Sequence, residues 1–189
     1  MQLLTPIRVG ALTVRNRLVS TAHAAFLDFY QPGCDGERYI AYQRRRAEGG
    51  TGLVILTAMH VHRSSQKAGH FIYDRADIVP KYHRMADALH AHDTTVVQQI
   101  FHFGAVGRSD ARDDLTPLWS LSGAVSRDGE ASHAMTRAEI EEVIQGFVDA
   151  ARAAADGGLD GVELHATHGY LLIQSLSPWG NQRHDEWGE

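Results

Sequence analysis

Three short apolar runs, separated by stretches of helical period, constrain this chain more than any other feature. Gly52-Leu-Val-Ile-Leu-Thr57, Thr95-Val-Val-Gln-Gln-Ile100 and Asp160-Gly-Val-Glu-Leu-His165 have the length of strands. The first is apolar without alternation, as a strand covered on both faces requires. A shorter candidate, Arg17-Leu-Val-Ser-Thr21, precedes them. Between the strands, Glu37 to Glu48 reads as a helix stopped by Gly49-Gly50. A second helix is predicted to open at Pro80 and to carry Tyr82, Met85, Ala86, Leu89 and His90 at helical spacing as far as Asp93. The third follows a Thr136-x-x-Glu139 capping box and presents Ile140, Val143, Ile144, Phe147, Ala151 and Ala154 as one stripe before Gly157-Gly158. Residues 104–135 show no period and read as an irregular insert, functional or mobile.

The order β-α-β-α-β-loop-α-β predicts an α/β fold with a parallel sheet and right-handed crossovers. Two architectures satisfy it: a doubly wound open sheet, or about four β/α units forming the N-terminal half of a (β/α)8 barrel. No G-x-G-x-x-G follows the first strand, which speaks against a dinucleotide-binding unit.

Composition narrows the function classes. Of 189 residues, 43% are hydrophobic and 22% charged, enough for a packed core and incompatible with disorder throughout. No run approaches the ~18 apolar residues of a membrane span, and the N-terminus lacks the pattern of a secretory signal. The single cysteine, Cys34, has no internal disulfide partner, so a cytoplasmic location is expected. A net charge of −5 gives no footing for a nucleic-acid or anionic-membrane partner. Histidine is abundant, with 12 residues, which directs attention to acid–base or metal chemistry.

In parallel α/β folds, reactive groups gather where strands end and loops begin. The predicted ends carry Thr21, Ala22, His23 and Ala24; then Thr57, Ala58, His60 and His62; then Gln98, Gln99 and His102; and finally His165, His168 and Tyr170. The last trio is the densest. Two imidazoles three residues apart can turn toward one point, and a phenol nearby is a proton donor of high pKa. Such a trio suits polarising a carbonyl oxygen and protonating a neighbouring carbon. Zinc binding and simple satisfaction of buried backbone groups are the alternatives for the same side chains.

The stretch from Asp160 to Gly188, DGVELHATHGYLLIQSLSPWGNQRHDEWG, resembles a signature of the Old Yellow Enzyme family of flavin oxidoreductases over nearly its whole length. Leu4 to Arg17 is similar to the family's opening, Arg46 to Ile55 to its R-A-x-G-G-x-G-L-I-I segment, and Gln99-Ile-Phe-His102 with Gly107-Arg108 to its Q-L-x-H-x-G-R segment. The resemblance implies an FMN-binding (β/α)8 barrel, of which residues 1–189 are the N-terminal part, ending after the fourth strand. It implies NAD(P)H as electron donor, a small-molecule substrate, and reduction of activated C=C bonds. A homo-oligomer is compatible with it.

By the same resemblance, Gln99 holds the flavin pyrimidine edge, Ala58 lets the flavin approach the backbone, and Thr21, Ala22, His23 and Ala24 line its other side. His165 and His168 bind the substrate's oxygen, and Tyr170 donates the proton. Ala24 stands where family members carry Cys or Thr, so it cannot tune the flavin by a hydrogen bond. Cys34 reads as a loop residue. The His23 segment resembles longer members that carry an iron–sulfur cluster and a second nucleotide domain beyond the equivalent of Glu189. Oxidation of an N-methylated amine is the alternative within the family. A metal-dependent hydrolase using His60, His62, His165 and His168 is the alternative from another class, and an inactive fragment with two open sheet edges is the third reading.

Overall fold

A computed structural model describes residues 2–65, 75–112 and 114–188. In chain order its elements are β1 (Ile7–Val9), β2 (Leu12–Val14), β3 (Val19–Ser20), α1 (Glu37–Glu48), β4 (Leu53–His60) and α2 (Arg75–His90). These are followed by β5 (Thr95–Phe101), β6 (Trp119–Ser120), β7 (His133–Ala134), α3 (Arg137–Asp156), β8 (Gly161–Leu164) and α4 (Leu171–Leu176). Among the described residues the main sheet has four strands in the order β3-β4-β5-β8, with β3 and β4 parallel and Val19 opposite Leu53. Spatial order follows chain order without a reversal. A doubly wound sheet must reverse at its switch point, whereas successive staves of a barrel need not. The topology therefore selects the half-barrel of the two architectures that the sequence allows.

The chain divides into two compact units. One contains the residues through Met59, those from α2 to Gln99, and Ala151–Glu163; the other contains the chain from His60, Ile100–Ala150 and the chain from Leu164.

In the first unit, β4 behaves as a strand buried on both faces: Val54, Leu56 and Met59 are fully buried, with Ile55 and Thr57 nearly so. Strand β5 alternates instead, with Val96, Gln98 and Ile100 buried and Val97 and Gln99 only partly so. Helix α1 spans the predicted residues, and Tyr39, Ile40, Gln43 and Ala47 form its buried face. The second helix begins no later than Arg75, so Pro80 lies inside it and does not open it. The missing N–H at Pro80 removes one bond near the start of the helix. Buried Tyr82, Met85, Ala86 and Leu89, with the Lys81–Asp77 pair one turn apart at 2.5 Å, hold that stretch helical. The β1–β2 hairpin is antiparallel and turns through Gly10 at φ 59°. Its three-residue strands are too short to leave a period in the sequence.

The second unit packs Leu121, Met135, Ile140, Val143 and Leu171 into one cluster, with Trp119, Phe147 and Trp187 against it. Residues 104–135 are not structureless. Strands β6 and β7 pair in parallel, Trp119 opposite His133 and Ser120 opposite Ala134, and Leu118, Leu121 and Met135 around them are buried. Two-residue strands cannot show an alternation, which is why the sequence hides them. The capping box forms as predicted: Thr136 Oγ1 accepts the Glu139 N–H at 3.3 Å, and Glu139 accepts the Thr136 N–H at 2.7 Å. The buried stripe of α3 is Ile140, Val143, Ala150, Ala153 and Ala154, while Ile144 is 39% exposed at the rim of that face. The two edge strands leave large side chains open, Val19 at 49% and Leu164 at 57%.

Candidate active site

The end of β8 in the second unit brings together the three side chains of the predicted trio. The His165 N–H donates to the Ile100 carbonyl at 3.1 Å, which continues the ladder one residue past the strand and leaves the ring buried beside β5. His168 follows at φ 56° and Gly169 at φ 76°. Two successive left-handed residues fold the chain back so that three rings meet, at a cost of about 1–2 kcal/mol for the non-glycine residue. Centroid separations are 4.9 Å for His165–His168, 4.8 Å for His165–Tyr170 and 5.9 Å for His168–Tyr170, all edge to face.

The hydrogen bonds order the two imidazoles. The Thr167 N–H approaches His165 Nδ1 at 3.4 Å, so Nε2 carries the proton and donates to His168 Nδ1 at 3.1 Å. With its Nδ1 accepting that bond, His168 carries its own proton on Nε2 of an exposed ring. Spacing suggests two imidazoles converging on an external acceptor. The structure instead has them bonded to one another, which leaves one ring N–H, at His168 Nε2, without a part in that bond. Tyr170 precedes α4 and makes no side-chain capping bond, so its phenol is not spent on the helix. Phe101 at 5.3 Å and Phe103 at 5.1 Å support its ring. Partial burial raises the phenol pKa above its ordinary value, keeping the proton in place at neutral pH.

Gln99, Ala58 and the Thr21–Ala24 segment belong to the first unit. The two adjacent glutamines of β5 point opposite ways and do different things. Gln98 is fully buried: its carbonyl accepts the Tyr30 and Tyr82 hydroxyls, both at 2.9 Å, and its amide donates to the Thr57 carbonyl at 2.7 Å. Gln99 is partly buried and donates to Glu163 at 2.5 Å, which leaves its carbonyl oxygen as an acceptor on that face. Ala58 is partly buried in β4. Thr21, His23 and Ala24 are exposed and Ala22 partly so. Both ring nitrogens of His23 are engaged, one with the Thr21 carbonyl at 3.0 Å and the other with the Tyr42 hydroxyl at 2.6 Å. Cys34 lies in a loop 3.9 Å from Gln31 Oε1.

The remaining strand-end histidines in the second unit bond to serine hydroxyls, and His62 to a carboxylate as well. His60 Nδ1 meets Ser65 Oγ at 2.9 Å, while His62 lies between Ser64 and Glu142. No three His, Cys, Asp or Glu side chains converge among the described residues in a way that could hold a metal ion. Burial first, then the nearby His62, His60 and Arg112, pushes the His102 pKa well below its ordinary value. Ser64 and Glu142 are the participants that the sequence reading passes over, and no spacing rule marks them. No helix among the described residues is long and apolar enough to cross a membrane.

Comparisons with known proteins match the chain to a family. The NADH:flavin oxidoreductase / NADH oxidase family matches residues 2–189. An N,N-dimethylglycine/sarcosine dehydrogenase from Chromohalobacter salexigens is 37% identical over 98% of this chain and 27% of its own length. An NADH oxidase from Thermoanaerobacter brockii is 36% identical over 96% of this chain and 28% of its own. Among solved structures, a 2-naphthoyl-CoA reductase in complex with 2-naphthoyl-CoA superimposes with a TM-score of 0.81 at 29% identity, covering 100% of this chain and 30% of that one. The chain thus spans little more than a quarter of the length of these relatives. With a four-stranded sheet in barrel order and a family match over essentially every residue, the chain belongs to the NADH:flavin oxidoreductase / NADH oxidase family.

Proposed function

We propose that the protein carrying this chain is an FMN-dependent NAD(P)H oxidoreductase that reduces activated C=C bonds, and that residues 1–189 are the N-terminal part of its single FMN-binding barrel. The observation that carries the reading is the His165–His168–Tyr170 cluster at the end of the fourth sheet strand in a chain of this family. The residues present fit the cofactor. Gln99 keeps a carbonyl acceptor suited to a ring N–H of the flavin pyrimidine edge, and Ala58 offers only a methyl group to an approaching ring. Thr21, Ala22, His23 and Ala24 would border the same cofactor. When bound, FMN supplies hydride to the acceptor carbon.

The chain's own residues do the rest. His168 Nε2–H meets the carbonyl or nitro oxygen of the substrate. An oxygen that breaks the bond between the imidazoles gains the His165 Nε2–H as a second donor. Donors aimed at an oxygen that becomes more negative stabilise the transition state more than the ground state. Tyr170 delivers its phenolic proton to the carbon beside the activating group. His165 is a poor competitor for that role, because its one N–H is already directed at His168.

A second reading keeps the flavin and oxidises an N-methylated amine, and the likeness to the dimethylglycine/sarcosine dehydrogenase favours it. Replacement of Tyr170 separates the two. Tyr170→Phe should slow alkene reduction by about 10²-fold or more, the ordinary yield of a general acid, and leave flavin reduction by NAD(P)H intact. Amine oxidation needs no proton delivered to carbon and should persist in the variant. Rapid-mixing absorbance of the flavin with enones and with N-methylated amines reads both. An unchanged rate of alkene reduction in Tyr170→Phe would remove the phenol from the mechanism.

A further inference from the structure

Four side chains that the proposed reaction does not use form an unbroken run of hydrogen bonds in the second unit. The Gly104 N–H donates to His102 Nδ1 at 2.9 Å, which places the His102 proton on Nε2. His102 Nε2–H donates to Ser64 Oγ at 2.8 Å, and the Ser64 hydroxyl donates to His62 Nδ1 at 2.7 Å. The Ser64 backbone N–H reaches the same Nδ1 at 3.2 Å. His62 Nε2–H then donates to Glu142 on α3 at 3.0 Å. Direction is fixed from both ends, because a backbone N–H only donates and a carboxylate only accepts. Ser64 is 2% exposed and His102 1%, so every link between them is made out of water.

The run ends against the proposed proton donor. The His102 carbonyl accepts the N–H of Leu171, the residue after Tyr170, at 2.9 Å. Phe101 and Phe103, on either side of His102, are the rings that support the phenol. Gln174 of α4 ties the same loop from the other side, accepting the Ala105 N–H at 3.1 Å and donating to the Phe103 carbonyl at 3.2 Å. Histidine 102 is therefore the hub between the hydrogen-bonded run and the Tyr170 turn.

We propose that Glu142, His62 and Ser64 are positioning residues for Tyr170, acting through His102. The inference rests on the proposed role of Tyr170 as proton donor. Each link orients the next ring, and the oriented His102 holds the start of α4 where the phenol faces the imidazole pair.

Glu142→Leu, Glu142→Gln and Ser64→Ala test this in the flavin-loaded protein. Glu142 is half exposed, so both of its variants are tolerated by packing even if Ser64→Ala were to fold poorly. Leucine removes the acceptor for His62, whereas glutamine keeps a carbonyl oxygen there. Glu142→Leu and Ser64→Ala should each lower kcat for alkene reduction about tenfold, the scale of a small misplacement of a reacting group. KM and flavin reduction by NAD(P)H should hold, and Glu142→Gln should stay close to wild type.

A second readout needs neither flavin nor substrate. The absorbance titration of the Tyr170 phenol, taken as the difference from Tyr170→Phe, should move toward the ordinary tyrosine value in Glu142→Leu and not in Glu142→Gln. Should the protein reduce no alkene at all, this titration still decides whether the run positions Tyr170. A Tyr170 titration and kcat indifferent to Glu142→Leu, or lost equally in Glu142→Gln, would overturn the proposal.

Discussion

Gly146→Ala opposes two physical effects at one position, and the structure says which prevails. Gly146 lies inside α3, where glycine costs about 1 kcal/mol relative to alanine by helix propensity alone. A Cβ at Gly146 would lie 3.2 Å from the Val61 carbonyl carbon and 3.6 Å from His62 Cβ, and would press harder still on the Val61 oxygen. That oxygen is backbone, held just past the end of β4 where the Val61 N–H bonds the Phe101 carbonyl at 3.1 Å, so it cannot rotate away. Relieving the contact requires the helix to withdraw by on the order of 1 Å, and overpacking of this kind costs about 1–3 kcal/mol. After the propensity gain of about 1 kcal/mol, the variant should be less stable by up to about 2 kcal/mol. For a chain of this size a loss of about 2 kcal/mol corresponds to a thermal midpoint lower by roughly 4–8 °C. Urea titration measures it directly, with the midpoint falling and the slope unchanged. Glu142 lies one turn before Gly146 on the same helix, so the withdrawal should also lengthen the Glu142–His62 bond. Ring 15N shifts of His62 in the variant would register that change. A Gly146→Ala protein that is more stable by about 1 kcal/mol, as propensity alone dictates, would refute the close packing of α3 on Val61.

Other expectations follow from the same geometry. Thr136→Ala should cost about 1 kcal/mol by removing the cap of α3, read as a lower urea midpoint. Gln98→Leu should cost about 2 kcal/mol or more, since it deletes the buried bonds from Tyr30 and Tyr82 and the one to Thr57. Gln99→Leu should cost less and should instead weaken flavin retention, measured by equilibrium dialysis. The buried His102 has a pKa below its ordinary 6.5, so the unfolded chain binds its proton more readily than the folded one. Its neutral form therefore contributes stability that is fully present above about pH 6.5 and is lost as pH falls toward the lower folded-state value. Urea midpoints measured from pH 7.5 down to 5 should fall across that window, and the fall should flatten in His102→Gln.

Periodicity makes much of this protein legible in its sequence. The unalternating run from Leu53 to Thr57 is a strand covered on both faces, the T-x-x-E box opens α3 where predicted, and the glycine pair after Glu48 closes α1. These signals are local: each is a free-energy preference expressed within a few residues of chain, so the sequence displays it in order. The family signature from Asp160 onward likewise identified the cluster at the end of β8. Where a local rule misleads, as at Pro80, it is because buried side chains further along the helix outweigh one missing backbone bond.

Folding alone decided the rest, because the groups concerned meet across long stretches of chain or are distinguished only by which face they occupy. Nothing in the doublet Gln98-Gln99 tells a buried cross-link from a surface acceptor until the pleat of β5 sends them to opposite sides. The parallel pairing of Trp119 with His133 spans a loop that has no period, and the bond between His165 and His168 depends on two consecutive left-handed residues. Glu142, the His62–Ser64 pair and His102 come from three segments up to eighty positions apart in the chain, and only the packing of α3 against the end of β4 turns four unremarkable polar residues into one directed run.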